Sequence, residues 1–306
     1  MFAMFRRPGK LTGLQREEEW AGYLFILPWL IGFGVFVIGP IIASFFISLL
    51  KADMLTPSKF VGVSNYAQSI HDPLFWKSLV NTCYYTFTTV LLGIAAGLGF
   101  ALALNQRIKV TNFFRTIYYL PSMVSIVALS LVWVWLLNPE IGFVNSVLGR
   151  LGLPQPAWLF SETWAMPSLI IMSIWFVGPN IVIYLAALQG VPDYLYDAIE
   201  IEGAGTFKKF RYLTFPMITP AILLTLIMNT IWSFQVFTQA YVMTDGGPNN
   251  VTLTSILYLY RQAFQYFHMG YASALAWLLF VVILGITLIF FKSSSIWVFY
   301  EAEIKK

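Results

Sequence analysis

The sequence predicts an all-α membrane protein with six transmembrane helices and both termini on the cytoplasmic side. Three observations carry this expectation. First, 58% of the 306 residues are apolar and only 10% are charged, against about 25% charged in an average soluble domain. That is too little charge to cover a water-facing surface of this size. Second, six stretches are long and apolar enough to cross a bilayer, which takes about 20 residues. They are Gly22–Leu50, Leu79–Leu104, Phe114–Leu137, Trp164–Leu188, Ala221–Met243 and Tyr271–Phe291, and their cores contain no Asp, Glu, Lys, Arg or His. Third, thirteen of the 18 Lys and Arg residues fall on one set of alternate connecting segments and five on the other. The basic set is cytoplasmic by the positive-inside rule, and it includes both ends of the chain.

Each element follows in order. Residues 1–21 form an N-terminal cytoplasmic segment bearing Arg6, Arg7, Lys10 and Arg16. Span one is long and carries Pro28 and Pro40, so it is expected to tilt or to begin with an interfacial turn. It is too long for a cleavable signal core and is expected to be retained. Span two ends before Arg107 and Lys109, and span three starts beside Arg115. Span four holds Gly178-Pro179-Asn180 near its middle, where proline frees a carbonyl and allows a kink. A cytoplasmic loop, 191–219, joins it to span five, and span six runs into a tail, 292–306. The six-span domain is thus 22–291. The three outer loops have about 26–28 residues each, enough to present a surface and too few for an added domain. Turn elements such as Asn138-Pro139 and Gly246-Gly247-Pro248 punctuate them.

Composition also excludes function classes. A net charge of +4 with no dense basic patch does not make a nucleic-acid binder. The single Cys83 forms no intrachain disulfide and makes no metal site, and His71 and His268 lie in separate loops. All 14 acids lie outside the spans, which argues against proton coupling through an intramembrane carboxylate. No phosphate-binding G-x-x-x-x-G-K-[ST] loop occurs, and no catalytic set lies within the spans. No cofactor is expected in this chain. If transport here is active, its energy enters through another subunit that touches a cytoplasmic loop. A passive channel or membrane scaffold is the alternative from a different class.

Two groups of residues stand out. In the 191–219 loop, Pro192 and Asp193 suit a helix start and Gly203 a left-handed stop. Asp193, Asp197 and Glu200 share one face at i, i+4 and i+7. Lys208, Lys209 and Arg211 follow, then Pro216 and Pro220. A short acidic helix therefore turns at a glycine into a short basic one. It is either a solvated loop obeying the charge rule or a lever between membrane and partner. The second group lies near the bilayer midplane: Asn180 in span four, with Asn229, Trp232, Ser233, Gln235 and Gln239 in span five. Amides, hydroxyls and an indole suit an uncharged polyol, so these six are candidates to line a solute path. The alternative is hydrogen-bonded glue between helices.

The 191–219 loop resembles the EAA loop of binding-protein-dependent ABC importer permeases. Asp197-Ala198-Ile199 stands at the Glu-Ala-Ala position, Glu202-Gly203-Ala204 at the acid-Gly-Ala position and Phe215-Pro216 at the closing pair. Asp for Glu, Ile for Ala and Glu for Asp keep charge and helicity. Further segments resemble the carbohydrate-uptake, maltose-type branch: Phe60-Val-Gly-Val-Ser-Asn-Tyr66, Phe75-Trp76 and Asn81-Thr82; Tyr119-Leu-Pro121, Trp133, Asn138-Pro139, Gly142 and Asn145; and Thr244-Asp-Gly-Gly-Pro248 with Thr252 and Tyr260. The resemblance implies a type I importer in the inner membrane of a prokaryote. Its parts would be this chain, a second permease of different sequence, an ATPase dimer holding ATP and Mg, and an extracytoplasmic binding protein that delivers a sugar or oligosaccharide. It also implies that Asp193, Asp197, Ala198, Glu200, Glu202, Gly203 and Ala204 meet the ATPase. Phe207 and Phe210 would anchor the loop or lie at the membrane interface, and motion would pass through short connections at Pro192 and Pro216. Glycerol phosphate or another polyol derivative is the alternative solute. The spans offer no basic residue for a phosphate ester, which favours a neutral one.

Overall fold

Hydrocarbon offers no partner to a backbone N–H or C=O, so each spanning stretch must close its own hydrogen bonds as a helix. The computed structural model describes residues 13–53, 57–106 and 111–299. Residues 1–12 of the expected N-terminal segment and 300–306 of the expected tail lie outside the described residues, as do Arg107 and Lys109. Among the described residues, five helices are long and apolar enough to cross a membrane: Arg16–Ser48, Pro73–Leu104, Ala165–Gln189, Thr206–Phe234 and Met269–Trp297. These are spans one, two, four, five and six.

The expected third span, Phe114–Leu137, is not one continuous helix. Phe113–Met123 and Ile126–Leu136 meet at 99°. Pro121 lies in a 3-10 turn, Leu120–Met123, and Val124 is extended. Among the described residues there are thus five continuous candidate spans, or six when the bent pair counts as one.

The other boundaries shift for local reasons. Asp72 accepts a hydrogen bond from the Leu74 N–H at 2.8 Å, and Pro73 occupies the first turn. This cap starts span two at Pro73 instead of Leu79. Span one ends at Ser48, and Leu50–Lys51 pairs with Lys59–Phe60 as a two-residue antiparallel ribbon. Span five begins at Thr206 instead of Ala221 and ends at Phe234 instead of Met243. Thr238–Met243 is a separate short helix.

Two prolines share one device. Wide, π-helical turns occupy Gly34–Ile38 and Phe210–Thr214, each ending two residues before a proline, Pro40 or Pro216. Proline cannot donate to the carbonyl four residues back, and its ring crowds that carbonyl. A widened turn absorbs the mismatch without breaking the helix. The carbonyl of Pro216, left free by Pro220, accepts instead from Thr219 Oγ1 at 2.6 Å.

Span two is the central post. Gly93, Gly97 and Ala101 recur every four residues on it, and small residues let helices approach closely. A Cβ on Gly97 would lie 2.9 Å from Asn180 Cβ. Gly178, at the kink of span four, sits so near the bend of span three that a Cβ would lie 2.5 Å from the Tyr118 carbonyl. One buried cluster, including Leu104, Tyr184, Leu188 and Ile218, fills the end of the bundle near residue 203. A second, including Phe75, Leu137, Met172 and Leu257, fills the opposite end. Span one packs on span six through Phe45 and Trp277, whose rings lie 5.3 Å apart. The most apolar window of span one has no buried residue, a surface that suits lipid and not water.

Candidate functional site: the charged hairpin and the polar seam

The helix Asp193–Ile201 starts after an extended Pro192 and stops at Gly203, whose φ is +77°. Gly203 N–H donates to Glu200 O at 2.9 Å and Ala204 N–H to Ile199 O at 3.2 Å. This pair of bonds is a Schellman ending, which needs a left-handed residue at that position. The chain re-enters helix at Thr206 and runs on into span five. The expected separate basic helix is therefore the first turns of that span. Pro216 lies inside it and is not a connection, because the π-helical turn keeps the helix continuous.

The hairpin stands proud of the bundle. No residue of Asp193–Ile201 is buried. Asp193, Asp197, Ala198, Glu200, Glu202 and Gly203 are exposed, and Ala204 is half-buried. Lys209 Nζ lies 2.6 Å from Glu200 Oε2, and Tyr196 OH lies 3.1 Å from Thr214 Oγ1. The two phenylalanines separate: Phe210 packs edge-on against Phe215 at 6.0 Å, while Phe207 is 78% exposed. Ile201 is 88% exposed, and Tyr194 and Tyr212 are exposed too. Acidic groups interleaved with bare apolar side chains form a surface suited to a protein partner. Charge spacing did not reveal Tyr194, Ile201 and Tyr212. Their signal was three large apolar residues inside a segment too charged to enter lipid.

The six candidate path residues do not form one cluster. Asn180 is buried, and its Oδ1 accepts from Asn229 Nδ2 at 3.1 Å while its Nδ2 approaches Gly93 O at 3.5 Å. Ser233 Oγ accepts from Thr89 Oγ1 at 3.5 Å. These three join spans two, four and five in a polar seam. Trp232 lies outside it, 72% exposed. Gln235 caps the end of span five and bonds Ile231 O at 3.0 Å, and Gln239 is half-buried in the next short helix. Sequence reasoning missed Thr89 and Gly93. Thr82, Thr86, Thr89 and Gly93 recur at three- and four-residue steps, which was the available signal.

At the opposite end, Asp72 ties three elements together. Its Oδ2 accepts from Tyr258 OH, and from Tyr271 OH at 2.7 Å. Partial burial raises the Asp72 pKa, but the bonds from Tyr258, Tyr271, Leu74 and Phe75 outweigh it and hold the carboxyl below its ordinary value. Burial, and then the Asp72 bond, push the Tyr258 hydroxyl upward. Gly246-Gly247-Pro248 is pinned on several sides. Thr244 and Thr252 hydroxyls lie 2.7 Å apart, Thr252 Oγ1 donates to Gly247 O at 2.8 Å, and Arg261 reaches Asp245 Oδ1 at 3.2 Å. Asn145 donates to Pro139 O and Pro156 O and accepts from Trp158 Nε1 at 2.7 Å. Several residues behind the wider resemblance are thus loop pins.

Residues 89–295, which hold the hairpin and all of the seam, match the family described as the binding-protein-dependent transport system inner membrane component. The chain belongs to this family. It is 40% identical over 297 residues to the probable ABC transporter permease protein YesP of Bacillus subtilis (strain 168), covering 94% of each chain. It is 36% identical over 284 residues to the trehalose/maltose transport system permease protein MalF of Thermococcus litoralis, covering 91% of this chain and 95% of that one. A crystal structure of a bacterial alginate ABC transporter, in complex with an alginate pentasaccharide-bound periplasmic protein, contains a similar fold. The TM-score is 0.81 at 25% identity, over 91% of this chain and 95% of that one. This permease is a multi-pass membrane component of a transport system, and it is not itself an enzyme.

Proposed function

We propose that this permease imports a sugar or oligosaccharide across the inner membrane of a prokaryote. A separate ATPase dimer, holding ATP and Mg, grips the hairpin around Gly203. Both termini and the hairpin face the cytoplasm, and the bent pair of helices counts as the third of six spans. The observation that carries this reading is the exposed hairpin itself: a Schellman stop, an acidic face and bare Ile201 and Phe207 on the membrane-adjacent end of two spans. ATP-driven closure of the partner would move the hairpin, and with it spans four and five. Access to the path near Asn180, Asn229, Trp232, Ser233, Gln235 and Gln239 would then alternate between the two sides. The braced Gly246-Gly247-Pro248 end would receive the extracytoplasmic binding protein, and a second permease of different sequence would complete the pore.

The names of the relatives support a saccharide as the solute: trehalose or maltose for one of them and alginate for the other. The polar seam offers amides and hydroxyls and no basic group, which suits a neutral sugar better than a phosphate ester.

Co-purification with uptake tests this directly. The wild-type complex is expected to retain an ATPase subunit. Gly203→Pro or Asp197→Lys should detach it or abolish ATP-driven uptake of the saccharide that the cognate binding protein retains in a thermal-shift panel. Full complex and full uptake in both variants would refute the assignment.

A further inference from the structure

We infer that Tyr196 and the π-helical turn Phe210–Thr214 form a positioning contact that makes the hairpin and span five move as one body. This rests on the reading of the hairpin as the ATPase-facing lever. The need for such a contact follows from the hairpin's construction. Its two arms meet at Gly203 and Gly205, the acidic arm has no buried residue, and the bond network of the turn involves only backbone atoms. A two-glycine joint with so little packing would flex under load and dissipate the motion.

Two side-chain contacts bridge the arms. Tyr196 and Glu200 are four apart, on one face of the acidic arm. Their partners on the other arm, Thr214 and Lys209, are five apart. Residues five apart align only where the helix is widened. There, Phe215 N–H bonds to Phe210 O and Thr214 Oγ1 reaches Lys209 O at 3.4 Å. In unbroken α-helix the residue stacked over Lys209 would be Leu213, which has no hydroxyl. The extra residue of the π-turn therefore brings the hydroxyl of Thr214 under Tyr196. The two hydroxyls lie 3.1 Å apart, and either can donate to the other.

The two bridges differ in strength. Glu200 is largely exposed, and exposed ion pairs contribute little. Thr214 is buried and Tyr196 half-buried, so their bond is shielded from water. Thr214 also lies at the base of span five, two residues before Pro216, where movement of the hairpin enters the membrane.

The test uses the full complex in proteoliposomes and reads solute imported per ATP hydrolysed, together with retention of the ATPase subunit. Tyr196→Phe and Thr214→Ala should keep the subunit bound and hydrolysis active, yet lower the import ratio about five-fold, the effect of losing one shielded hydrogen bond. Thr214→Ser should preserve the ratio, and Lys209→Gln, which removes the exposed ion pair from the other arm, should change it by less than about two-fold. Hydrogen exchange of the amides in 195–201 should quicken in Tyr196→Phe. An unchanged ratio with unchanged exchange in Tyr196→Phe would overturn the proposal. So would loss of the ATPase subunit from that variant, which would make Tyr196 a docking residue. A wild-type complex that holds no ATPase subunit would instead sink the lever reading on which the proposal stands.

Discussion

At the residue scale, side chains that the sequence marks as conspicuous divide into pins and faces. Asp72 is a pin. Its carboxylate caps span two and collects the hydroxyls of Tyr258 and Tyr271. Its pKa is held below the ordinary 3.8, so its contribution is complete above that value. It is lost as pH falls through the lower folded value. Asp72→Asn keeps a capping oxygen but removes the charge, and should cost about 1–2 kcal/mol at neutral pH. Thermal unfolding in detergent at several pH values checks this: the gap between wild type and variant should close as acid protonates Asp72. Gly203 was legible because a glycine closing a short acidic helix suits a left-handed stop. The pairing of Asn180 with Asn229 was legible only as two alternatives, since an amide in a span serves a path or a neighbour equally well. The geometry joins them to each other, while Trp232 stays free.

At the element scale, apolar content located five continuous spans and the bent pair, but not their ends. Span five was displaced most. Lys208, Lys209 and Arg211 read as a short separate helix, and Pro216 and Pro220 as the connection into the span, yet one helix runs through them all from Thr206. A hydropathy window penalises the cations, and a rule against proline in helices penalises the rest. Neither anticipates a widened turn that accommodates Pro216, nor Thr219 serving the carbonyl that Pro220 leaves free. The Thr219 hydroxyl also works in the other direction, because its Oγ1 accepts from Phe299 N–H at 2.9 Å, while Val298 packs with Leu223 and Ile227. The segment after span six is thereby fastened to the base of span five. Thr219→Val is nearly isosteric and removes both bonds, so it should destabilise the fold by about 1–3 kcal/mol. A lowered melting temperature together with earlier proteolysis after residue 297 would register it. Span three failed as a single helix because Pro121 introduces a turn that apolar periodicity does not report.

At the scale of the whole molecule, the two ends differ in kind. One is closed by Asp72, Asn81, Thr252 and Asn145, which lock loops onto helices with many short bonds. The other carries a hairpin with no buried residue in its acidic arm. Between them, spans two, four and five share a seam of small and polar side chains, and two kinks abut where Gly178 meets Tyr118. This distribution suits a device that is firm where it receives a partner on one side and free where it is moved from the other. The helical, multi-span architecture was legible from apolar length. The seam was not, because it depends on which helices are neighbours.

The sidedness of the hairpin is the central claim, and cysteine labelling tests it most directly. The chain has one cysteine, Cys83, half-buried in span two. In a Cys83→Ala background, Ile201→Cys should react with a membrane-impermeant maleimide only in inside-out vesicles, and bound ATPase subunit should protect it. Labelling from the outer face of intact cells, or reactivity indifferent to the ATPase, would contradict the account.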